Sequence, residues 1–182
     1  MKDSIRDKNI KKRKALRPRF IRKTGERMML SFLNSKLLAF ESFMAYYPVN
    51  NEAPVIPIIE SLLSKGKKVF LPGTCDDDNL EVLAFSGFTD MAVGKYNIPE
   101  PAGRVACNPD DIDVVLVPGV AFDRRGGRIG YGKGCYDKFL EGRNVVKVGI
   151  CYGFQIKKNG LPGESHDIEM DFLLTEKGLI EV

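Results

Sequence analysis

Val114-Val115-Leu116-Val117 runs straight into Pro118-Gly119-Val120-Ala121-Phe122-Asp123-Arg124-Arg125-Gly126-Gly127-Arg128-Ile129-Gly130-Tyr131-Gly132-Lys133-Gly134-Cys135-Tyr136-Asp137, and Lys138-Phe139-Leu140 follows. The apolar run reads as a buried strand. Tyr136 to Leu140 reads as the first turns of a helix. A glycine-dense loop between strand and helix is a geometry for holding phosphate. Glycines let backbone N–H groups crowd an anion without Cβ clashes. The helix start adds the positive end of its dipole. Arg128 and Lys133 add full charges, the arginine as a two-pronged donor. Asp137 stands where a carboxylate can hold a divalent cation against those phosphates. The loop is neither G-x-x-x-x-G-K-[ST], since Gly134 follows Lys133, nor G-x-G-x-x-G. The bland alternative is a solvated hairpin, but the density of glycines and charges between strand and helix argues against it.

Strands and helices alternate on both sides of this loop. Phe43 to Tyr47 reads as a strand ended by Pro48. Val55 to Leu63 reads as a helix with Ile56, Ile59 and Leu63 inward, stopped by Gly66. Lys68 to Leu71 is the next strand, closed by Pro72-Gly73. Strand, helix, strand over roughly 30 residues is a βαβ unit, which implies parallel strands. Leu80–Phe85, Val146–Tyr152 and Phe172–Thr175 are further strands. Upstream, residues 2–16 read as a charged helix that Pro18 ends or resets. A second helix is expected from near Thr24, with Leu30, Leu33, Leu37 and Phe40 facing the core. Residues 86–111 look irregular, and Tyr96-Asn97-Ile98-Pro99-Glu100-Pro101 reads as a rigid, extended wall for a pocket. The sum is an α/β fold with a mostly parallel sheet flanked by helices. Ligands in such sheets bind at the carboxyl ends of the strands, so the glycine loop, Pro48–Glu52 and Phe154–Gln155 are expected to share one rim.

A chain of 182 residues with 43% hydrophobic content suits a single domain with its own core. The four cysteines show no C-x-x-C spacing, so neither a zinc site nor a disulfide framework is indicated. Reduced thiols and a cytoplasmic location are the simplest account. The N-terminal region lacks a signal-peptide apolar core, and no apolar run approaches the roughly 20 residues of a membrane span. The net charge of +4 is lopsided: residues 1–27 hold twelve basic and three acidic residues, and the remainder is net acidic. A basic arm on an acidic body points to an anionic partner, either nucleic acid or a small polyphosphate, unless it is only a solvated helical face. Lys2 and Arg6 lie one helical turn apart, positioned for one phosphate chain or for plain surface charge. The three aspartates between Thr74 and Asn79 read as a solvated tip. His166 is read as structural, Asp171 as either secondary metal support or a strand cap, and the Asp123–Arg125 pair as structural.

At this level of detail the chain resembles the 5-formyltetrahydrofolate cyclo-ligase family, also called methenyltetrahydrofolate synthetases. The resemblance rests chiefly on Leu116-Val117-Pro118-Gly119-Val120-Ala121-Phe122-Asp123, continuing through Gly127-Arg128-Ile129-Gly130-Tyr131-Gly132-Lys133-Gly134. Supporting pieces are Lys2-x-x-Ile5-Arg6, Asn97-Ile98-Pro99-Glu100-Pro101, Leu161-Pro162, His166-Asp167 and Met170-Asp171, in matching order and spacing. The resemblance implies a NagB/RpiA/CoA-transferase-like fold over residues 1–182, with residues 1–17 as a basic helix contributing to the nucleotide site. It implies conversion of 5-formyltetrahydrofolate to 5,10-methenyltetrahydrofolate with ATP as co-substrate and Mg2+ as cofactor. Transferred by position, Lys2, Arg6, Arg128, Ile129, Gly130, Tyr131, Gly132, Lys133, Gly134, Cys135 and Tyr136 would bind ATP. Lys133, Arg128 and Tyr136 would be catalytic, with Lys133 bearing most of the transition-state charge. Asp137 and Asp167 would hold the metal. Tyr47, Glu52, Tyr96, Tyr131, Gly132, Lys133, Gly134 and Cys135 would contact the folate, polyglutamylated or not. A cytoplasmic monomer is expected, without nucleic-acid or membrane partners.

Three positions depart from the family's habit: Cys135 stands where an aromatic is usual, Gly73 where a base is common and Gly153 where an acid is frequent. None removes a charge the proposed chemistry needs. The rival readings are another phosphate-handling enzyme on the same scaffold, for which Glu52 would be the acid or base, and a folate- or RNA-binding protein. The basic arm carries only Phe20 for base stacking, which weakens the RNA reading.

Overall fold

The computed structural model describes residues 1–74, 79–164 and 167–182. The triple-aspartate tip and His166 lie outside those residues. Among the described residues the α-helices are α1 (Lys2–Lys14), α2 (Pro18–Leu33), α3 (Ile56–Ser64) and α4 (Cys135–Leu140). The strands are β1 (Ser42–Met44), β2 (Lys68–Thr74), β3 (Leu80–Phe85), β4 (Met91–Val93), β5 (Pro99–Pro101), β6 (Val114–Pro118), β7 (Ala121–Asp123), β8 (Arg128–Ile129), β9 (Val146–Ile150), β10 (Ile156–Lys157), β11 (Phe172–Thr175) and β12 (Gly178–Glu181). Among the described residues the main sheet has the order β12-β11-β9-β6-β1-β2-β3. The five strands from β11 to β2 pair in parallel, and an antiparallel strand closes each end. The expected mostly parallel α/β fold is what forms.

Both faces of the parallel strands are covered, which is why β6 reads as an unbroken apolar run. Successive side chains point to opposite faces. Val114 and Leu116 join Phe32 of α2 and Ile58, Ile59 and Leu62 of α3 in one core. Val115 and Val117 join Phe139 and Leu140 of α4, together with Phe122, in the other. Phe122 is the joint between this sheet and the loop above it. Its ring is fully buried, and a Cβ on Gly149 of β9 would come within 2.5 Å of it. Phe122→Ala is expected to cost ~3–5 kcal/mol, read as a lower urea midpoint at unchanged slope.

Several boundaries differ from the sequence reading. Pro18 opens α2 rather than separating it from a later helix, because proline fits the first helical position, where no N–H is required. The buried face of α2 is Thr24, Gly25, Met28 and Phe32; Leu30 is 55% exposed. Leu37 is buried, but in a short 3-10 turn beyond the helix. Tyr96 and Asn97 are not extended: they form a tight turn with φ of 61° and 56°, and only Pro99–Pro101 is a strand. The free side of β3 is not bare, since Ala84 N donates to Val105 O (2.9 Å) and Cys107 N to Val82 O (2.8 Å).

Candidate active site

A cleft of about 1230 Å3 opens at the carboxyl ends of β1, β2 and β6, where a parallel sheet is expected to bind ligands. Its floor and walls come from the Arg128–Asp137 segment, the 46–52 turn, Tyr96–Ile98, the 162–164 turn with Asp167, and the start of α1. Phe154 and Gln155 do not line it. Gln155 is buried and donates to the Gly119 and Val120 carbonyls, 2.9 Å each, bracing the root of the loop.

The glycine loop begins after β8. Gly132 and Gly134 adopt φ of 103° and 68°, where a Cβ would be strained, so only glycine lets the chain curl here and enter α4. Arg128 lies beneath, its side chain 5% exposed. It donates to Asp137 Oδ2 at 2.8 Å, and its Nε has no acceptor among the described residues. Lys133 lies above on the open side. Its Nζ donates to the Tyr96 hydroxyl and stands 3.9 Å from the centre of that ring. The two residues thus meet across the mouth of the cleft.

The start of α1 reaches the same place. Lys2 bonds Asp167 Oδ2 at 2.9 Å and Glu164 Oε1 at 3.1 Å. Burial pulls its ammonium down, but those two carboxylates outweigh burial and leave it raised. Arg6 Nε donates to the Gly130 carbonyl at 2.9 Å. Asn9 donates to the Val120 carbonyl at 2.9 Å from a fully buried position, which pins the helix. Arg13 follows on the same face. α1 is therefore held by polar bonds rather than an apolar stripe, and its basic last turn complements the negative end of its dipole.

The cleft also carries Glu52, 6% exposed. Burial pushes its carboxyl up, while the Val49 N–H at 3.0 Å, the Tyr131 hydroxyl at 2.8 Å and the charge of Arg13 pull it down. Tyr47 lines the same cleft, edge-on to Phe88 with centroids 6.3 Å apart. Tyr136 is the residue beneath the loop whose hydroxyl is buried without a partner among the described residues, and burial drives that hydroxyl well above the ordinary phenol range.

Asp137 and Asp167 approach each other through the backbone: Asp137 Oδ1 accepts from the Ile168 N–H at 3.3 Å. Among the described residues no group of three or more His, Cys, Asp or Glu side chains gathers as a metal cage. Asp137 and Asp167 nevertheless line the same cleft as the loop, and two carboxylates suit Mg2+, which keeps waters and takes one or two carboxylates plus substrate phosphates. Asp123 caps the β7–β8 turn through the Arg125, Gly127 and Leu161 N–H groups, and its ion pair with Arg125 is long at 3.8 Å. Asp171 accepts from Lys147 N and pairs with Lys147 Nζ, which makes it a strand cap away from the cleft.

A model of the 5-formyltetrahydrofolate cyclo-ligase family matches residues 1–176. The chain belongs to that family. A probable cyclo-ligase of Schizosaccharomyces pombe is 32% identical over 139 residues, covering 68% of each chain. The cyclo-ligase of Mycolicibacterium smegmatis is 26% identical over 190 residues, covering 97% of this chain and 94% of its own. Among solved structures, the 5,10-methenyltetrahydrofolate synthetase of Aquifex aeolicus superposes with a TM-score of 0.87 at 31% identity, covering 99% of this chain and 92% of its own.

For a cyclo-ligase family member, the sequence-predicted residues converge well. Lys2, Arg6, Tyr47, Glu52, Tyr96, Arg128–Asp137 and Asp167 all line the one cleft. Three of the proposed cations arrive already engaged by carboxylates: Arg128 with Asp137, Lys2 with Asp167 and Glu164, and Arg6 with Asp3. Sequence reasoning missed Arg13, Tyr46 and Glu164. The signal for Arg13 was spacing: Lys2, Arg6, Asn9 and Arg13 recur at steps of four, three and four, which is one helix face.

Proposed function

We propose that the chain converts 5-formyltetrahydrofolate and ATP to 5,10-methenyltetrahydrofolate, ADP and phosphate. The observation that carries the reading is that one cleft holds both halves of the chemistry: a cationic glycine loop with two acids, and a buried carboxylate among aromatic rings. The formyl oxygen attacks the γ-phosphorus as the bond to ADP breaks. N10 then attacks the phosphorylated formyl carbon, phosphate departs with that oxygen, and the N10 proton passes to solvent. Phosphoryl transfer of this kind is chiefly positioning and charge neutralisation, so no protein nucleophile is required.

In this reading residues 1–182 act as one domain. Lys2 and Arg6 neutralise phosphates from α1, and backbone N–H groups of residues 129–136 cradle them. Lys133 swings from Tyr96 toward the transferring phosphoryl group. Arg128 orients Asp137, and Tyr136 supports the loop from below. Asp137 and Asp167 would hold Mg2+, which would supply positive charge near the phosphates. Glu52 accepts from the N–H edge of the pterin, with Tyr47 and Tyr96 as flat walls. Cys135, at the first position of α4, leaves more room beside the folate than an aromatic would. In this reading the chain works as a cytoplasmic monomer; no helix among the described residues is long and apolar enough to cross a membrane.

Mixing the protein with Mg-ATP and 5-formyltetrahydrofolate is expected to generate the absorbance of the methenyl product, dependent on both ATP and Mg2+. Product formation without ATP, or no product at any pH from mildly acidic to neutral, would overturn the assignment.

A further inference from the structure

Arg13 is the largest fully buried side chain of α1, 1% exposed, and among the described residues no carboxylate bonds it directly. Its NH2 donates to the Asn50 carbonyl at 3.0 Å and to the Tyr131 hydroxyl, and its guanidinium stands 5.5 Å from the centre of the Tyr131 ring. Nε and NH1 have no acceptor among the described residues. An apolar residue of that size would serve packing better, because burying a charge without a paired counter-charge is costly.

What the charge faces is Glu52. The Tyr131 oxygen accepts from Arg13 and its O–H donates to Glu52 Oε1 at 2.8 Å. Accepting a charged hydrogen bond makes that hydroxyl a stronger donor. The titratable groups around Glu52 are Tyr46, Tyr131, Tyr136 and Tyr152, each of which burial holds in its neutral form. Arg13 supplies the positive charge acting on Glu52 among the described residues.

We propose that Arg13 is a positioning residue: through Tyr131 it keeps Glu52 ionised and oriented, and so sets affinity for the hydrogen-bond-donating edge of a pterin-class substrate. This rests on Glu52 being the folate-binding carboxylate. One rigid helix then serves both substrates. Lys2 and Arg13 lie about 16 Å apart along its axis, the first among the acids at the phosphate end and the second behind the folate wall.

The test uses the full chain in the absorbance assay at saturating Mg-ATP, across pH, with Arg13→Gln, Arg13→Lys, Tyr131→Phe and Glu52→Gln. Burial already raises the Glu52 carboxyl, and losing Arg13 removes one of the groups holding it down. A carboxylate that binds only when ionised acts above its pKa and fails below it, so the acid limb of folate affinity must move to higher pH. Arg13→Gln is expected to raise the folate KM at least ~10-fold with the ATP KM changed less than about two-fold, the pattern of lost ground-state binding. Arg13→Lys should restore part of the shift, and Tyr131→Phe should move the limb the same way.

An unmoved acid limb in Arg13→Gln overturns the proposal. So does an equal rise in both KM values with a matching fall in Tm, which is the mark of a merely structural residue. Should Arg13→Gln not fold, unmoved limbs in both Arg13→Lys and Tyr131→Phe overturn it instead. Glu52→Gln separates the two layers. An unchanged folate KM there sinks the role of Glu52 itself, whereas a raised KM with a silent Arg13 sinks only the relay.

Discussion

Lys133→Ala is expected to lower kcat by ~10²–10³-fold, the scale for removing one preorganised group that meets transition-state charge. The effect should fall on kcat more than on either KM, because in the resting structure the ammonium rests against Tyr96 and, in the proposed mechanism, reaches phosphate only as reaction begins. Stability should hardly move, since Lys133 is exposed. Lys133→Arg should recover little. A guanidinium is longer and planar, and the loop on either side is fixed by Gly132 and Gly134 in the left-handed region. A variant with near-normal turnover would remove the central charge from the proposed mechanism.

Asp137→Asn carries two expected consequences that separate by measurement. The Mg2+ concentration needed for half-maximal rate should rise at least ~10-fold, because a neutral amide oxygen is a poor ligand for a hard cation. The fold should also lose ~1–3 kcal/mol, because Arg128 is buried and Asp137 is its carboxylate partner at 2.8 Å. Magnesium titration of the initial rate reads the first effect, and urea denaturation without magnesium reads the second. A stability loss with an unshifted magnesium requirement would assign Asp137 to holding Arg128 alone.

The parts of this fold that were legible in the sequence are those with strong local signals. Val114–Val117 declares itself by an unbroken apolar run, and Phe43 to Leu71 by a strand, a helix and a strand in quick succession. The glycine loop declares itself by composition. What escaped were features whose cause lies elsewhere in the chain. Among the described residues β12 pairs only with β11, and it carries no long apolar run of its own. The turn at Tyr96 depends on two non-glycine residues with positive φ, which composition does not announce. Pro18 looked like a stop because proline both ends and begins helices.

The candidate site divides the same way. Residues on the loop were readable as a group, and Lys2 and Arg6 as a pair. Arg13 was not, because within a run of lysines and arginines a buried guanidinium looks the same as a solvated one. Only the positions of Tyr131 and Glu52, more than thirty residues further along the chain, show which of those cations is enclosed.

The two ends of the main sheet bear on how the molecule behaves when crowded. Exposed strand edges are templates on which a second copy can build a continuous ladder. Here the outer side of β3 is occupied by the segment around Val105 to Cys107, and β12 is four residues long, begins with glycine and ends in Glu181, which is tied to Lys36 at 2.9 Å. Neither rim offers a long, flat, uncharged strip, so concentrated solutions should resist fibrous aggregation through this sheet.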